Sequence, residues 1–105
     1  MPELGRALTA IVCHKDHQEL HCDNSSQALV IYTAAYGRKS ERQKICPYDG
    51  PEWTPNDSCV ADVTTALRTR CDKRKKCKIH ADPVLFGNLC SKVNKYLHIV
   101  YACGK

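Results

Sequence analysis

The densest charge in this 105-residue chain lies in an eleven-residue segment between positions 68 and 78. Seven of its side chains are basic and only Asp72 is acidic, whereas the rest of the chain holds nine basic and ten acidic residues. Most charge runs are solvated loops, but like charges at this density repel one another and attract polyanions. We therefore predict an anionic partner for this basic patch, which consists of Arg68, Arg70, Lys73, Arg74, Lys75, Lys76 and Lys78.

Eight cysteines form the second chemically informative set. An even number of cysteines in a short chain is typical of disulfides formed in an oxidising compartment, although spacing alone leaves their pairing open. Zinc is the alternative, because Cys71, Cys77 and His80 lie close together and histidines flank Cys13 and Cys22. The Cys-x2-Cys spacing that is usual in structural zinc sites does not occur in this sequence. We expect disulfides among all eight, with no metal or other cofactor, and we interpret the histidines as solvated strand or loop residues.

No residue set in the chain fits a catalytic site. A catalytic thiol is disfavoured because eight cysteines leave no unpaired remainder. The sequence also offers no paired carboxylates at a plausible site and no nucleophile with an adjacent base. We therefore expect a binding module and not an enzyme.

Two N-glycosylation sequons, which begin at Asn24 and Asn56, support an oxidising compartment. The first residues lack the apolar core of a signal peptide, so a secreted origin requires a mature or excised segment. No apolar run approaches the roughly 18 residues of a membrane span. We expect an extracellular location, in a secreted protein or in the ectodomain of a cell-surface protein.

Hydrophobic periodicity predicts one helix among several strands. The predicted helix follows possible N-cap residues at 56–58, and Asp62 lies in its first turn. Its apolar stripe consists of Val60, Val63, Leu67 and Cys71. Arg68 and Arg70 lie near its carboxyl end. A proline-rich loop with Trp53 precedes it, and a second loop covers 83–88. The fold class is α/β (α+β), a mostly antiparallel sheet with one main helix. The predicted strands are 8–13, 19–22, 28–36 (ended by Gly37), 78–81 and 96–103.

Several short motifs resemble those of one lectin family. Tyr36-Gly37-Arg38, Phe86-Gly87, Lys95-Tyr96-Leu97 and a last strand ending in Cys103, together with the cysteine order, resemble the galactose- and rhamnose-binding lectin domain of the sea-urchin-egg-lectin type. The resemblance spans 13–103 and leaves 1–12 as an N-terminal strand with its leading residues. It implies four disulfides: Cys13–Cys46, Cys22–Cys103, Cys59–Cys90 and Cys71–Cys77.

The resemblance also implies a sugar pocket, from which this chain departs. An acidic residue that follows the first cysteine in sugar-binding members is His14 here, and the Asp-Pro-Cys motif is Asn88-Leu89-Cys90. Carboxylates accept charge-assisted hydrogen bonds from hydroxyl groups, so their loss predicts weakened binding of free rhamnose or galactose. The lectin-pocket positions implied by the family are His14, Tyr36, Gly37, Arg38, Asn88 and Lys95.

Within the family, the chain looks most like the ectodomains of the enhanced-ventral-axon receptors, a group associated with heparin binding and axon guidance. This likeness rests on the segments 36–46, 70–79 and 101–103. It implies a carbohydrate partner bound by a guidance or adhesion receptor, and sulphated glycosaminoglycan such as heparan sulphate fits both the expected compartment and the basic patch. We expect no nucleic acid partner, because DNA and RNA are not the usual partners in an oxidising compartment. The alternatives are a protein-interaction module with a vestigial pocket, which would bind a secreted guidance or adhesion protein, and a soluble rhamnose- or galactose-binding lectin. Further basic residues expected to assist are Arg38, Lys39, Arg42 and Lys44.

Overall fold

The structure, a computed structural model, describes residues 6–38, 46, 59–81 and 95–104. These residues form a mostly antiparallel β structure with one helix, which confirms the predicted fold class. The predictions for Asn56, Asn88, Trp53, Lys39, Arg42, Lys44 and the 83–88 loop lie outside the described residues. The elements are β1 (Leu8–Cys13), β2 (His17–His21), β3 (Ala28–Arg38), β4 (Cys59–Asp62), α1 (Thr64–Cys71), β5 (Lys76–His80) and β6 (Tyr96–Gly104).

The main sheet has the strand order β1-β6-β3-β4, and every neighbouring pair is antiparallel. Successive side chains of a strand point to opposite faces of the sheet, so every second side chain of these strands faces the core. Val12 and Tyr36 both lie opposite Leu97, and all three are buried. A bulge between Ile31 and Thr33 shifts the register of β3 against β6.

The helix begins later than the sequence pattern predicts. Residues 59–62 form β4, which pairs with the last part of β3, and α1 starts at Thr64. Val60 therefore lies on an edge strand and is 40% exposed, while Leu67 and Cys71 keep their buried places. Asp62 precedes the helix: its Oδ1 accepts hydrogen bonds from the hydroxyl (2.6 Å) and the backbone N–H (2.9 Å) of Thr64. These two bonds lower the pKa of the Asp62 carboxyl.

Other strand ends also differ from the predictions. β3 continues through Gly37 to Arg38, because β4 and β6 supply hydrogen-bonding partners there. Gly37 has φ 148°, a backbone conformation that a side chain would strain. β2 and β5 both extend over five residues, since they pair with each other along their full length.

Disulfides join the parts of the molecule as the lectin resemblance implied. Cys13–Cys46, Cys22–Cys103 and Cys71–Cys77 are all formed. Cys22 follows β2 and Cys103 lies in β6, so their bond ties the β2–β5 pair to the main sheet. The fourth implied pairing, Cys59–Cys90, includes a residue outside the described part of the chain.

Candidate functional site

Residues 72–75 connect α1 to β5 and are called the basic turn here. The backbone N–H of Lys73 donates to the Leu29 carbonyl (2.9 Å), and the Leu29 N–H donates to the Arg74 carbonyl (2.8 Å). The Asp72 carboxylate accepts a hydrogen bond of 2.7 Å from the Ile31 N–H. These contacts attach the basic turn to the first residues of β3, while the Cys71–Cys77 disulfide closes the segment around it.

Two members of the basic patch are bound to the protein's own backbone. The Arg68 guanidinium donates to the carbonyls of Ile31 and Tyr32, both at 3.0 Å, beside the bulge in β3. The Lys75 ammonium donates to the carbonyl of Asn24 and, at 3.4 Å, to that of Gln27. These two cations are therefore less available to a ligand than sequence alone predicted.

The other five members remain exposed. Within the described ranges, none of these five forms a salt bridge with a carboxylate; the close contact found there joins His21 Nε2 and the Asp23 carboxylate. Lys73 and Arg74 project from the basic turn, and Arg70 lies in the last turn of the helix. These five, all exposed, are Arg70, Lys73, Arg74, Lys76 and Lys78.

Strands β2 and β5 form a separate two-stranded ribbon. Leu20, Cys77 and Ile79 face the core and are buried. The alternate positions are exposed and lie opposite one another across the ribbon, where the His17 and His80 ring centroids are 5.6 Å apart. This outward face, called the ribbon face, pairs His21 with Lys76, Glu19 with Lys78, and His17 with His80.

The sequence analysis did not place His17, His21 and His80 beside the basic patch. The alternation of polar and apolar residues in β5 was the available signal, since it separates Lys76, Lys78 and His80 from Cys77 and Ile79. The pairing with His17 and His21 depends on the cross-strand register, which the sequence pattern does not contain.

A cleft of about 310 Å³ lies where the ribbon meets the basic turn. The Cys22 N–H donates to the Lys75 carbonyl at 3.0 Å and holds this junction together. Inside it, His21 Nε2 lies 3.2 Å from the Asp23 carboxylate. The cleft is lined by Glu19, His21, Cys22, Asp23, Lys75 and Lys76, and so offers charges of both signs.

Most lectin-pocket positions lie at the end of the main sheet that is opposite the basic turn. Cys13, Tyr96 and Gly37 are aligned across β1, β6 and β3, so the adjoining His14, Lys95 and Arg38 belong to the same end. Tyr36 is fully buried and supports this end from inside the core. Lys95 is only 2% exposed, and burial lowers the pKa of its ammonium group.

The basic turn and the pocket end are separate surfaces that the ribbon connects. Leu29, beside the basic turn, and Gly37, at the pocket end, are eight residues apart on β3, about 26 Å at the usual rise of a strand. The far end of the ribbon returns to β1, because the backbone N–H of Lys15 donates to the Ala81 carbonyl (3.0 Å) and the backbone N–H of Asp16 donates to the Cys13 carbonyl (2.8 Å).

This arrangement agrees with the result of comparison with protein families. The model of the D-galactoside/L-rhamnose binding SUEL lectin domain matches residues 20–103. The chain belongs to this family. Its resemblance to sea-urchin-egg-type lectins is thereby confirmed, and it is a lectin domain of the carbohydrate-binding type.

Curated relatives include eva-1 homologues, which are much longer than this chain, and lectins. Protein eva-1 homolog C of Mus musculus is 38% identical over 88% of this chain, which spans 21% of that protein's length. L-rhamnose-binding lectin SML of Scomberomorus niphonius is 31% identical over 92% of the chain and 47% of the lectin. L-rhamnose-binding lectin ELEL-1 of Echinometra lucunter is 30% identical over 90% of the chain and 88% of the lectin.

Other features of this SUEL domain bear on its surface. Asn24, the first glycosylation candidate, is exposed, and its Oδ1 accepts hydrogen bonds from the Ser26 N–H (2.9 Å) and hydroxyl (2.8 Å). Its modification stays a prediction. In the part of the chain that is described, no group of three or more metal-binding side chains converges. The same residues include no helix long and apolar enough to cross a membrane.

Proposed function

We propose that this SUEL domain binds sulphated glycosaminoglycan, such as heparin or heparan sulphate, through the basic turn and the ribbon face. The observation that carries the proposal is the set of five exposed basic side chains, none of which lies within salt-bridge distance of a carboxylate among the described residues. Sulphate groups are fixed anions, and their binding to lysine and arginine releases counterions. The rest of the chain has a net charge close to zero, so this surface is the strongest attractor for a polyanion.

The disulfides favour a polysaccharide over a nucleic acid as the polyanion. Disulfides persist in oxidising, mostly extracellular environments, where acidic polysaccharides are common and nucleic acids are not the usual partners. An extracellular setting also agrees with the two candidate sequons. The match to about a fifth of eva-1 homolog C supports a further proposal, that the domain is one part of a cell-surface guidance or adhesion receptor.

Heparin affinity chromatography with two charge-matched variants tests the binding proposal. Lys73→Glu/Arg74→Glu changes the basic turn, and Arg6→Glu/Lys15→Glu makes the same charge change at exposed positions elsewhere. We expect the unmodified domain to elute at a salt concentration that falls strongly in the first variant and little in the second. Circular dichroism verifies that both are folded.

Equal losses in the two variants would mean that only net charge matters and would contradict the proposed site. Unchanged elution of both would contradict a glycosaminoglycan site at the basic turn altogether. A partner protein whose binding survives heparinase treatment of the cells would favour the protein-interaction alternative.

A second candidate function is binding of free L-rhamnose or D-galactose at the pocket end. Family membership favours it, and so does the alignment of Cys13, Tyr96 and Gly37, which assembles that end. The absence of a carboxylate at His14 and Asn88 weakens it, because the strongest acceptors for sugar hydroxyls are missing. Calorimetric titration with each sugar distinguishes the two, since no heat of binding is expected if the pocket is vestigial.

A further inference from the structure

We propose that the ribbon face is a pH-controlled part of the polyanion site, in which His17, His21 and His80 add positive charge as the medium becomes acidic. This inference rests on the proposed binding of sulphated polysaccharide and adds its regulation. It arises from the ribbon register, which brings three exposed histidines onto the same face as two lysines.

The charge of the ribbon face depends on these histidines. With neutral imidazoles, the two lysines and Glu19 leave the face with a net charge of +1. Histidine is the side chain that ordinarily gains its proton between pH 8 and 5. Protonation of all three raises the net charge of the face to +4, while sulphate esters on a ligand keep their charge.

Charged groups of both signs lie near the three histidines. His21 lies opposite Lys76 and 3.2 Å from the Asp23 carboxylate, with Lys75 also lining the cleft. His17 and His80 face each other, and the turn that precedes them contains Lys15 and Asp16.

The remaining charges on the packed elements are few. Glu19 and Lys78 occupy the middle of the ribbon face as an opposite-charge pair. Among the elements packed against the ribbon, β1 has no charged residue, β3 has Arg38, and α1 has Arg68 and Arg70. Among the residues that the structure describes, the acidic groups near the ribbon face are therefore Asp16, Glu19 and Asp23.

The position of the histidines makes the added charge continuous with the basic turn. Lys76 directly follows the basic turn, and His80 lies four residues further, about 13 Å at the rise of a strand. The ribbon face therefore extends the cationic surface from the basic turn toward the pocket end. At neutral pH only its Lys76 end is strongly basic, whereas in acid the whole length attracts an anionic chain.

Binding of dextran sulphate tests this inference, because its sulphate groups stay ionised at both pH 7.4 and pH 5.5. We expect the dissociation constant of the unmodified domain to fall on the order of tenfold at pH 5.5, with a steeper salt dependence. His17→Gln/His21→Gln/His80→Gln should keep the affinity at pH 7.4 and lose the gain in acid. His17→Lys/His21→Lys/His80→Lys should bind at pH 7.4 about as well as the unmodified domain does at pH 5.5.

The outcomes separate the two proposals. Binding at pH 7.4 with no gain at pH 5.5, or a gain that persists in the glutamine variant, overturns the histidine mechanism and leaves the proposed function intact. No binding at either pH overturns both. All three substituted positions are exposed strand residues, and circular dichroism at both pH values verifies that the variants remain folded.

Discussion

Arg68 illustrates how a residue of the basic patch serves the fold. Its planar guanidinium reaches two successive carbonyl groups, those of Ile31 and Tyr32, at the bulge where β3 and β6 shift register. Carbonyls at a bulge lose part of their ladder bonding, so a side-chain donor compensates them. A lysine presents a single ammonium group and would not reproduce this forked contact.

Replacing Arg68 should therefore affect stability more than replacing Arg70. We expect Arg68→Ala to lower the free energy of unfolding by about 1–2 kcal/mol, because two carbonyls lose a charged donor. Arg70→Ala, at an exposed position of the same helix turn, should change it by less than about 0.5 kcal/mol. Urea denaturation followed by circular dichroism measures both, and equal effects would show that the Arg68 contacts add no stability.

At the scale of the elements, the sequence predicted every strand except β4 and misplaced several boundaries, of which the start of the helix is the most informative. Alternating or continuous apolar residues identified β1, β3 and β6, since these strands lie against a single core. The stripe from Val60 to Cys71 predicted a helix, yet its first residue joins β4. A segment of four residues before a helix is too short for periodicity to distinguish strand from helix. Here these residues form a strand because they pair with the otherwise open edge of β3.

The disulfides of the ribbon should differ in their effects on stability. Cys22–Cys103 closes a loop with a sequence separation of 81, and Cys71–Cys77 one with a separation of 6. The entropy of the unfolded chain predicts losses of about 4.5 kcal/mol for Cys22→Ala/Cys103→Ala and about 2.4 kcal/mol for Cys71→Ala/Cys77→Ala. Urea denaturation under non-reducing conditions provides the comparison, and the reverse order would indicate that local packing outweighs loop closure.

At the scale of the whole molecule, two separate surfaces are attached to one sheet. The basic turn is fixed to the start of β3, and the lectin-pocket positions gather at its far end. The five exposed cations of the basic patch lie away from the pocket end.

We therefore expect no competition between the two classes of ligand. A large excess of free L-rhamnose or D-galactose should leave the affinity for heparin unchanged at pH 7.4, because about 26 Å of β3 separates the pocket end from the basic turn. Surface plasmon resonance on immobilised heparin measures this directly. Displacement of the domain by either sugar would place the heparin site at the pocket end.

The sequence by itself determined the features that depend on neighbouring residues or on composition. The cluster of basic residues, the even number of cysteines and the alternation of the strands are all local, and the family motifs supplied the disulfide pairing. Tertiary structure alone decided which cations are free, because Arg68 and Lys75 find acceptors in distant segments. It also decided that His17 and His80 meet, since cross-strand register depends on hydrogen bonds between residues far apart in the chain.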